Sequence, residues 1–371
     1  MRTTLVRIGV AAASAALLVT SAATATTASA SGSKPHKPVV KSNAVGAPFN
    51  LDVFHGKIYV ADGFSNTVGV LQSDGSIKTV IAKATGTSGI AHSKNGRYRA
   101  YTYTVGGEEA ITASGLKIRG PLGKRVTADT LAYEKAKNPD QKLTYGPRST
   151  DACVVGALGP AYTGLVDSHA YSVAAYRDGW VVADAGANAL FTVDNRGKVK
   201  TLAVLPDHPY RITAEAAAEL GLPDCTIGVT YRFEAVPTDV EVGKDGFLYV
   251  TTLPGGPESL ALGARGKLFR VNPRSGAIKE IAHGFSGATN LAIAKDGTIY
   301  VAEYFAGAIS AVRKGKVKKY LSLHNVVAVE WDGKALWAGT TVNLDPSQPA
   351  VPGTIVKIVN GKASHHTKVK H

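Results

Sequence analysis

Oxygen-bearing side chains recur in this chain at spacings that could hold a hard cation or move a proton. Asp62, Asp184 and Glu303 each end a strand-like run (Ile58-Tyr-Val-Ala-Asp62, Trp180-Val-Val-Ala-Asp184, Ile299-Tyr-Val-Ala-Glu303), and Asn66 and Asn188 follow the first two by four residues. A second set, Asn50, Ser172, Asp239 and Asn290, heads four other apolar runs, with Tyr171, Thr238 and Thr289 one residue earlier in three of them. Carboxylates and amides are the ligands that calcium or another divalent cation prefers, so Asp239 and Asn290 are the candidate metal ligands. His169 lies two residues from Asp167, and an imidazole oriented by a carboxylate is a general base. Each group also has a structural use. Asp and Asn close their own loops by accepting from backbone N–H groups, and a polar channel holds ordered water. Repetition of one pattern at several places favours those structural uses, so no catalytic residue is assigned. The candidate binding set is Asn50, Asp167, His169, Tyr171, Asp184, Asp239 and Asn290. His92 reads as a packed strand residue, and His365, His366 and His371 as a tail.

The elements that must position these residues follow from a repeated cassette of strand, Gly turn and strand. It is seen in Leu51–Asp62, Ile90–Ala100, Val173–Asp184, Val240–Thr251, Leu291–Glu303 and Val327–Ala338. Most copies are followed by a second strand pair, such as Val68–Val80 and Leu190–Leu202. Four strands per unit at roughly 40-residue intervals is the signature of a propeller blade. The expectation is an all-β, six-bladed β-propeller with blades at 48–82, 86–131, 166–206, 235–284, 287–323 and 324–367. The ring is expected to close through an outer strand from either Pro38–Lys41 or Ala363–Val369. Two long blade-to-blade insertions, 132–165 and 207–234, would share one face with the second-to-third-strand loops, opposite the Asp-Gly hairpins. Each is expected to contain a short helix. Thr213 is an apt N-cap for Ala214–Leu220, with Gly221 at its C′ position, and Asp129–Lys137 is the other helix. Insertions of that length usually form functional walls or lids.

The N-terminal 30 residues read as an export signal: Arg2 and Arg7, an apolar run from Ile8 to Thr20, then Ala28-Ser29-Ala30. That apolar run is shorter than the ~20 residues a span needs. The domains are then a signal peptide at 1–30, a linker at 31–37 and the propeller at 38–371, in a secreted, extracellular monomer with no membrane span. Cys153 and Cys225, the two cysteines, are expected to form one disulfide on compartment grounds. The formal charge of +14 becomes +12 without Arg2 and Arg7. In an exported chain it points away from nucleic acid and toward solvated turns or an anionic wall polymer. No G-x-S-x-G elbow, Walker loop, H-E-x-x-H or Cys-x-x-Cys occurs.

Ala132-Tyr-Glu-Lys-Ala-Lys-Asn-Pro-Asp140, Asp167-Ser-His-Ala-Tyr-Ser-Val173, Val182-Ala-Asp-Ala-Gly-Ala-Asn-Ala-Leu190 and Val236–Val250 resemble the ScyD/ScyE family of exported propellers. That family is loosely similar to NHL-repeat and gluconolactonase-like propellers. The resemblance covers nearly the whole mature chain and departs from the family pattern at Ala170, where members often carry Pro. It implies a fold and an export route but no agreed reaction. The expected function is therefore a non-enzymatic scaffold that binds a small molecule, an anionic wall polymer or a protein on its insertion face. The alternative is a divalent-metal-dependent hydrolase or lactonase acting at the channel mouth.

Overall fold

In the computed structural model the described residues are 37–107, 110–257, 259–343 and 351–359. The expected export signal, nearly all of the expected linker and the residues from 360 onward lie outside them. The chain is mostly β and forms a β-propeller. Its strands assemble into seven four-stranded sheets. Six contain strands in simple antiparallel succession, spanning Pro48–Ile81, Ile90–Asp129, Ala170–Val204, Pro237–Phe285, Ala288–Ser322 and Val326–Val359. The innermost strands of these six touch their neighbours in chain order, and the one at Val326–Trp331 touches the one at Pro48–Phe54.

Packing repeats that order. Six apolar cores each lie between consecutive sheets. Leu116, Ile118, Trp180 and Phe191 fill one; Leu190, Val240, Leu248 and Phe269 fill the next. The core of Leu51, Val60, Trp337 and Ile355 joins the last sheet to the first. Each strand alternates its side chains between two flanking cores because successive Cβ atoms point to opposite faces. The closing strand is the N-terminal one. Lys37–Val45 pairs antiparallel with Gly353–Val359, which decides between the two closures that the sequence left open. The alternative at Ala363–Val369 lies outside the described residues.

The two insertions do more than wall a face. Their strands, Thr144–Pro147, Tyr162–Thr163, His208–Arg211 and Thr230–Phe233, form the seventh sheet, which the sequence did not announce. Three helices accompany it, here α1 (Thr130–Lys137), α2 (Ala152–Leu158) and α3 (Ala214–Glu219). Thr213 caps α3 as expected, accepting from Ala216 N–H, and Asp129, expected as the first helical residue, instead caps α1 by accepting from Ala132 N–H. The short α2, capped by Asp151, was not anticipated. Cys153 and Cys225 are bonded, with a Cα–Cα distance of 6.3 Å, and tie α2 to the second insertion. The loop after Thr252 packs on this sheet: Arg265 stacks over Phe233 at 4.4 Å and donates to Gly255 O at 3.0 Å.

Candidate functional site beneath the insertion sheet

Of the predicted residues, Asn50, Tyr171, Asp239 and Asn290 lie on innermost strands, and the oxygens of Asn50, Asp239 and Asn290 are engaged; Asp167 and His169 precede the strand Ala170–Tyr176, and Asp184 ends the second strand, Gly179–Asp184. Asn50 Oδ1 accepts from Ile90 N–H (3.1 Å), Asp239 Oδ2 from Leu291 N–H (2.8 Å) and Asn290 Oδ1 from Val329 N–H (2.8 Å). In each case the donor belongs to the next sheet. Ser172 Oγ donates to Asp239 Oδ1 at 2.5 Å, again between neighbours. The set is a ring of sheet-to-sheet clasps. Burial pushes the Asp239 carboxyl up to about 6, against the hydrogen bonds from Ser172 and Leu291, which favour its ionised form.

The strand-end acids close loops. Asp62 accepts from the N–H groups of Gly46, Ala47, Phe64 and Ser65, and Glu303 from Ser286 N–H. Asn66, Asn188 and Gly307, four residues after Asp62, Asp184 and Glu303, share a left-handed φ of 54°, 51° and 54°. Asn and Gly are the residues that tolerate this conformation.

Below the mouth lies a group that the sequence reading passed over. Asp52, Glu241 and Glu330 occupy one cassette position on three inner strands, and His92 Nδ1 lies 2.6 Å from Asp52 Oδ2. His92 also stacks on Phe54 with ring centroids 4.5 Å apart, so it is packed as expected and hydrogen-bonded to Asp52 as well. Glu241 and Glu330 are half-buried as residues, with protein packed around their carboxyls. Enclosure, and then their mutual repulsion with Asp52 and Asp239, hold both carboxyls well above the usual range. The available signal was the acid directly after the apolar residue in Leu51-Asp52, Val240-Glu241 and Val329-Glu330.

A second acidic group lies where the insertions meet the third sheet. Glu134 is carried by α1, Asp140 by the Asn138-Pro139-Asp140 loop, Asp167 and Asp184 by the third sheet and its approach, and Glu234 by the end of the insertion sheet. Glu134, Asp140 and Asp184 are wholly inaccessible to solvent. Asp184 accepts from His169 N–H, Ala187 N–H and Ser168 Oγ; Ser168 N–H donates to Glu134 Oε2 at 2.6 Å. The Asn188 amide N–H₂ bridges Asp140 Oδ2 (3.1 Å) and Glu234 Oε2 (3.3 Å), while Tyr145 donates to Asp140 and Tyr162 to Glu234. Burial raises Glu134 to about 9, with repulsion from Asp184, Asp167 and Asp140 adding to it. Burial likewise raises Asp167 to about 8, reinforced by Glu234 and Asp184. Burial also lifts Asp140, Asp184 and Glu234 and the phenols of Tyr145 and Tyr162.

His169 does not join this group. No hydrogen bond links it to Asp167, its Nδ1 has no partner, and its ring lies against Tyr171 at 5.7 Å. Burial alone pulls it down to about 4, so the imidazole is neutral at pH 7. The carboxylate-oriented base anticipated from Asp167 and His169 is not formed: His169 Nδ1 and Asp167 Oδ1 are each buried without a partner. Tyr171 packs with Ala185 and Val236.

No protein family and no curated protein matches the chain by sequence. Solved structures do. The PQQ-bound aldose sugar dehydrogenase of Streptomyces coelicolor superposes with a TM-score of 0.53 at 12% identity, over 89% of this chain and 99% of that one. A gluconolactonase of Xanthomonas campestris gives 0.52 at 10% identity, over 87% and 90%. At such identities the likeness is one of fold.

Proposed function

We propose that the chain is an exported six-bladed propeller of the ScyD/ScyE kind, acting as a ligand-binding scaffold through its insertion face. Six of the seven sheets serve as blades in this reading, and the seventh is a cap built from the insertions. One observation carries it. Of the nine large apolar residues left exposed among the described residues, six (Phe64, Val105, Leu165, Val166, Ile227 and Val351) lie in loops or strand ends that blade topology directs to the insertion face, whereas Val39 and Val40 lie on the closing strand and Leu122 in a hairpin of the opposite face. Exposed apolar groups gathered on one face are characteristic of an interaction surface. A ligand with an apolar face fits this rim. An anionic wall polymer would instead meet the opposite face, where the exposed hairpins carry Lys94, Arg97, Arg177, Lys244, Lys295 and Lys334.

The rival reading, a metal-dependent hydrolase or lactonase at the channel mouth, draws on the gluconolactonase-like fold. It is less well supplied with ligands, because Asn50, Asp239 and Asn290 already accept from backbone N–H groups. The test is a thermal-shift and hydrolysis screen of the secreted protein against apolar metabolites, wall polymers and lactones. Binding of an apolar compound that weakens at least tenfold in a Phe64→Ser/Leu165→Ser double variant is the expected outcome. Lactone turnover abolished by Asp239→Ala would overturn the scaffold in favour of the hydrolase.

A further inference from the structure

The acidic group beneath the insertion sheet contains five carboxylates and no basic partner. Among the described residues none of Glu134, Asp140, Asp167, Asp184 or Glu234 lies within salt-bridge distance of a Lys, Arg or His. Buried charge without compensation is strongly unfavourable. Something other than a side chain must neutralise it.

A second, independent observation concerns unfilled oxygens. Glu134 Oε1, Asn138 Oδ1, Asp140 Oδ1 and Asp167 Oδ1 are buried with no hydrogen-bond partner, and Glu134 and Asp140 are themselves wholly inaccessible. Asn138 is the informative member. Its amide N–H₂ donates to Gly164 O at 2.9 Å, which fixes the orientation and leaves Oδ1 as an acceptor. An amide oxygen does not take up a proton at ordinary pH, so protonating the neighbouring acids leaves it unfilled. A hard cation satisfies amide and carboxylate oxygens together while removing the charge.

The backbone has made room. A Cβ at Gly164 would stand 1.9 Å from Asp140 Oδ1, and one at Gly186 would stand 2.1 Å from Asp167 O and 3.0 Å from Asp167 Oδ1. Only glycine lets both acids approach this closely. We infer that the Asn138-Pro139-Asp140 loop, Glu134 and Asp167 bind a divalent cation of the calcium type, which braces the insertion sheet on the third sheet. The donor spacing bounds the ligand set. No three His, Cys, Asp or Glu ligand atoms of this group lie within 4.8 Å of one another; the only such trio among the described residues is Asp151 with the disulfide-bonded Cys153 and Cys225. The ion therefore takes at most two of Glu134, Asp140 and Asp167 directly, with Asn138 Oδ1, and reaches the third through water that completes its shell. This is a different place from the channel-mouth ligands Asp239 and Asn290, and the inference does not depend on what the insertion face binds.

The probes are Tb³⁺ and Ca²⁺ added to secreted protein after exhaustive chelation. Tyr145, whose hydroxyl lies 3.0 Å from Asp140 Oδ2, is placed to sensitise terbium emission. Expected are tyrosine-sensitised emission displaced by Ca²⁺, a rise in Tm with Ca²⁺, and at least tenfold weaker binding in Asn138→Ala and Asp140→Asn. Asn138→Ala changes no charge, so it keeps the test valid if Asp140→Asn does not fold. The Tm is read from pH 6 to pH 9 with and without Ca²⁺, and the cation should raise it throughout. No emission and no Ca²⁺-dependent Tm would overturn the inference. So would a Tm in chelator and in Ca²⁺ that falls identically over that pH range, which would assign neutralisation to protons. A cation effect kept in Asn138→Ala but lost in Asp239→Ala would move the site to the channel mouth and also overturn it.

Discussion

At the scale of single residues, an oxygen's availability depends on what already donates to it. Asn290 illustrates this. Its side chain is buried, and its Oδ1 accepts from Val329 N–H, a donor 39 residues away on the next sheet. Removing the acceptor leaves that N–H without a partner in a buried strand, which costs about 1–3 kcal/mol. Asn290→Ala should lower the unfolding free energy by about that amount in urea titrations, equally in calcium and in chelator. A loss seen in calcium alone would assign a cation to Asn290 instead. Asp140 shows the converse case. One of its oxygens is filled by Tyr145 and Asn188 while the other faces no donor, although nothing in its sequence neighbourhood separates it from an ordinary loop acid.

At the scale of elements, the insertions form a small unit of their own. Their four strands have two to four residues each, too few to bury a face alone. They rely on a local core of Ala216, Phe233 and Leu262 and on the Cys153–Cys225 bond. That bond closes a loop across a sequence separation of 72, for which chain entropy gives a stabilisation of about 4 kcal/mol. The double variant Cys153→Ala/Cys225→Ala should lose up to that amount. Hydrogen exchange should rise first at Thr144–Pro147, His208–Arg211 and Thr230–Phe233, with Pro237–Thr252 still protected. Uniform acceleration across the chain would count against a separately braced cap.

At the scale of the whole molecule, stability depends on closing the ring. Lys37–Val45 is the only partner for the outer edge of Gly353–Val359 among the described residues, and Val45 belongs to the core that joins the last sheet to the first. Deleting residues 37–45 should lower Tm by on the order of 10 °C and promote association through the freed strand edge. Calorimetry and size-exclusion chromatography would register both effects. A monomer with unchanged Tm would mean that closure lies elsewhere. No helix among the described residues is long and apolar enough to cross a membrane.

Much of this architecture was legible in the residues because it is locally encoded. Alternating apolar positions and Asp-Gly turns mark the strand pairs, Thr213 marks a helix start, and the lone cysteine pair in a chain expected to be exported marks the disulfide. The left-handed turns at Asn66 and Asn188 follow from the same local chemistry. The seventh sheet was not legible, since strands of two to four residues carry no periodicity. Nor was the grouping of Glu134, Asp140, Asp167, Asp184 and Glu234, which comes from segments up to 100 residues apart. The sequence by itself determined the strand pattern, the turns and the cysteine pairing, all of which depend on residue type and short spacing. Only the tertiary structure decided which oxygens at the channel mouth are engaged and which beneath the cap are left open, because a donor's arrival and a carboxylate's burial depend on chain segments distant in sequence.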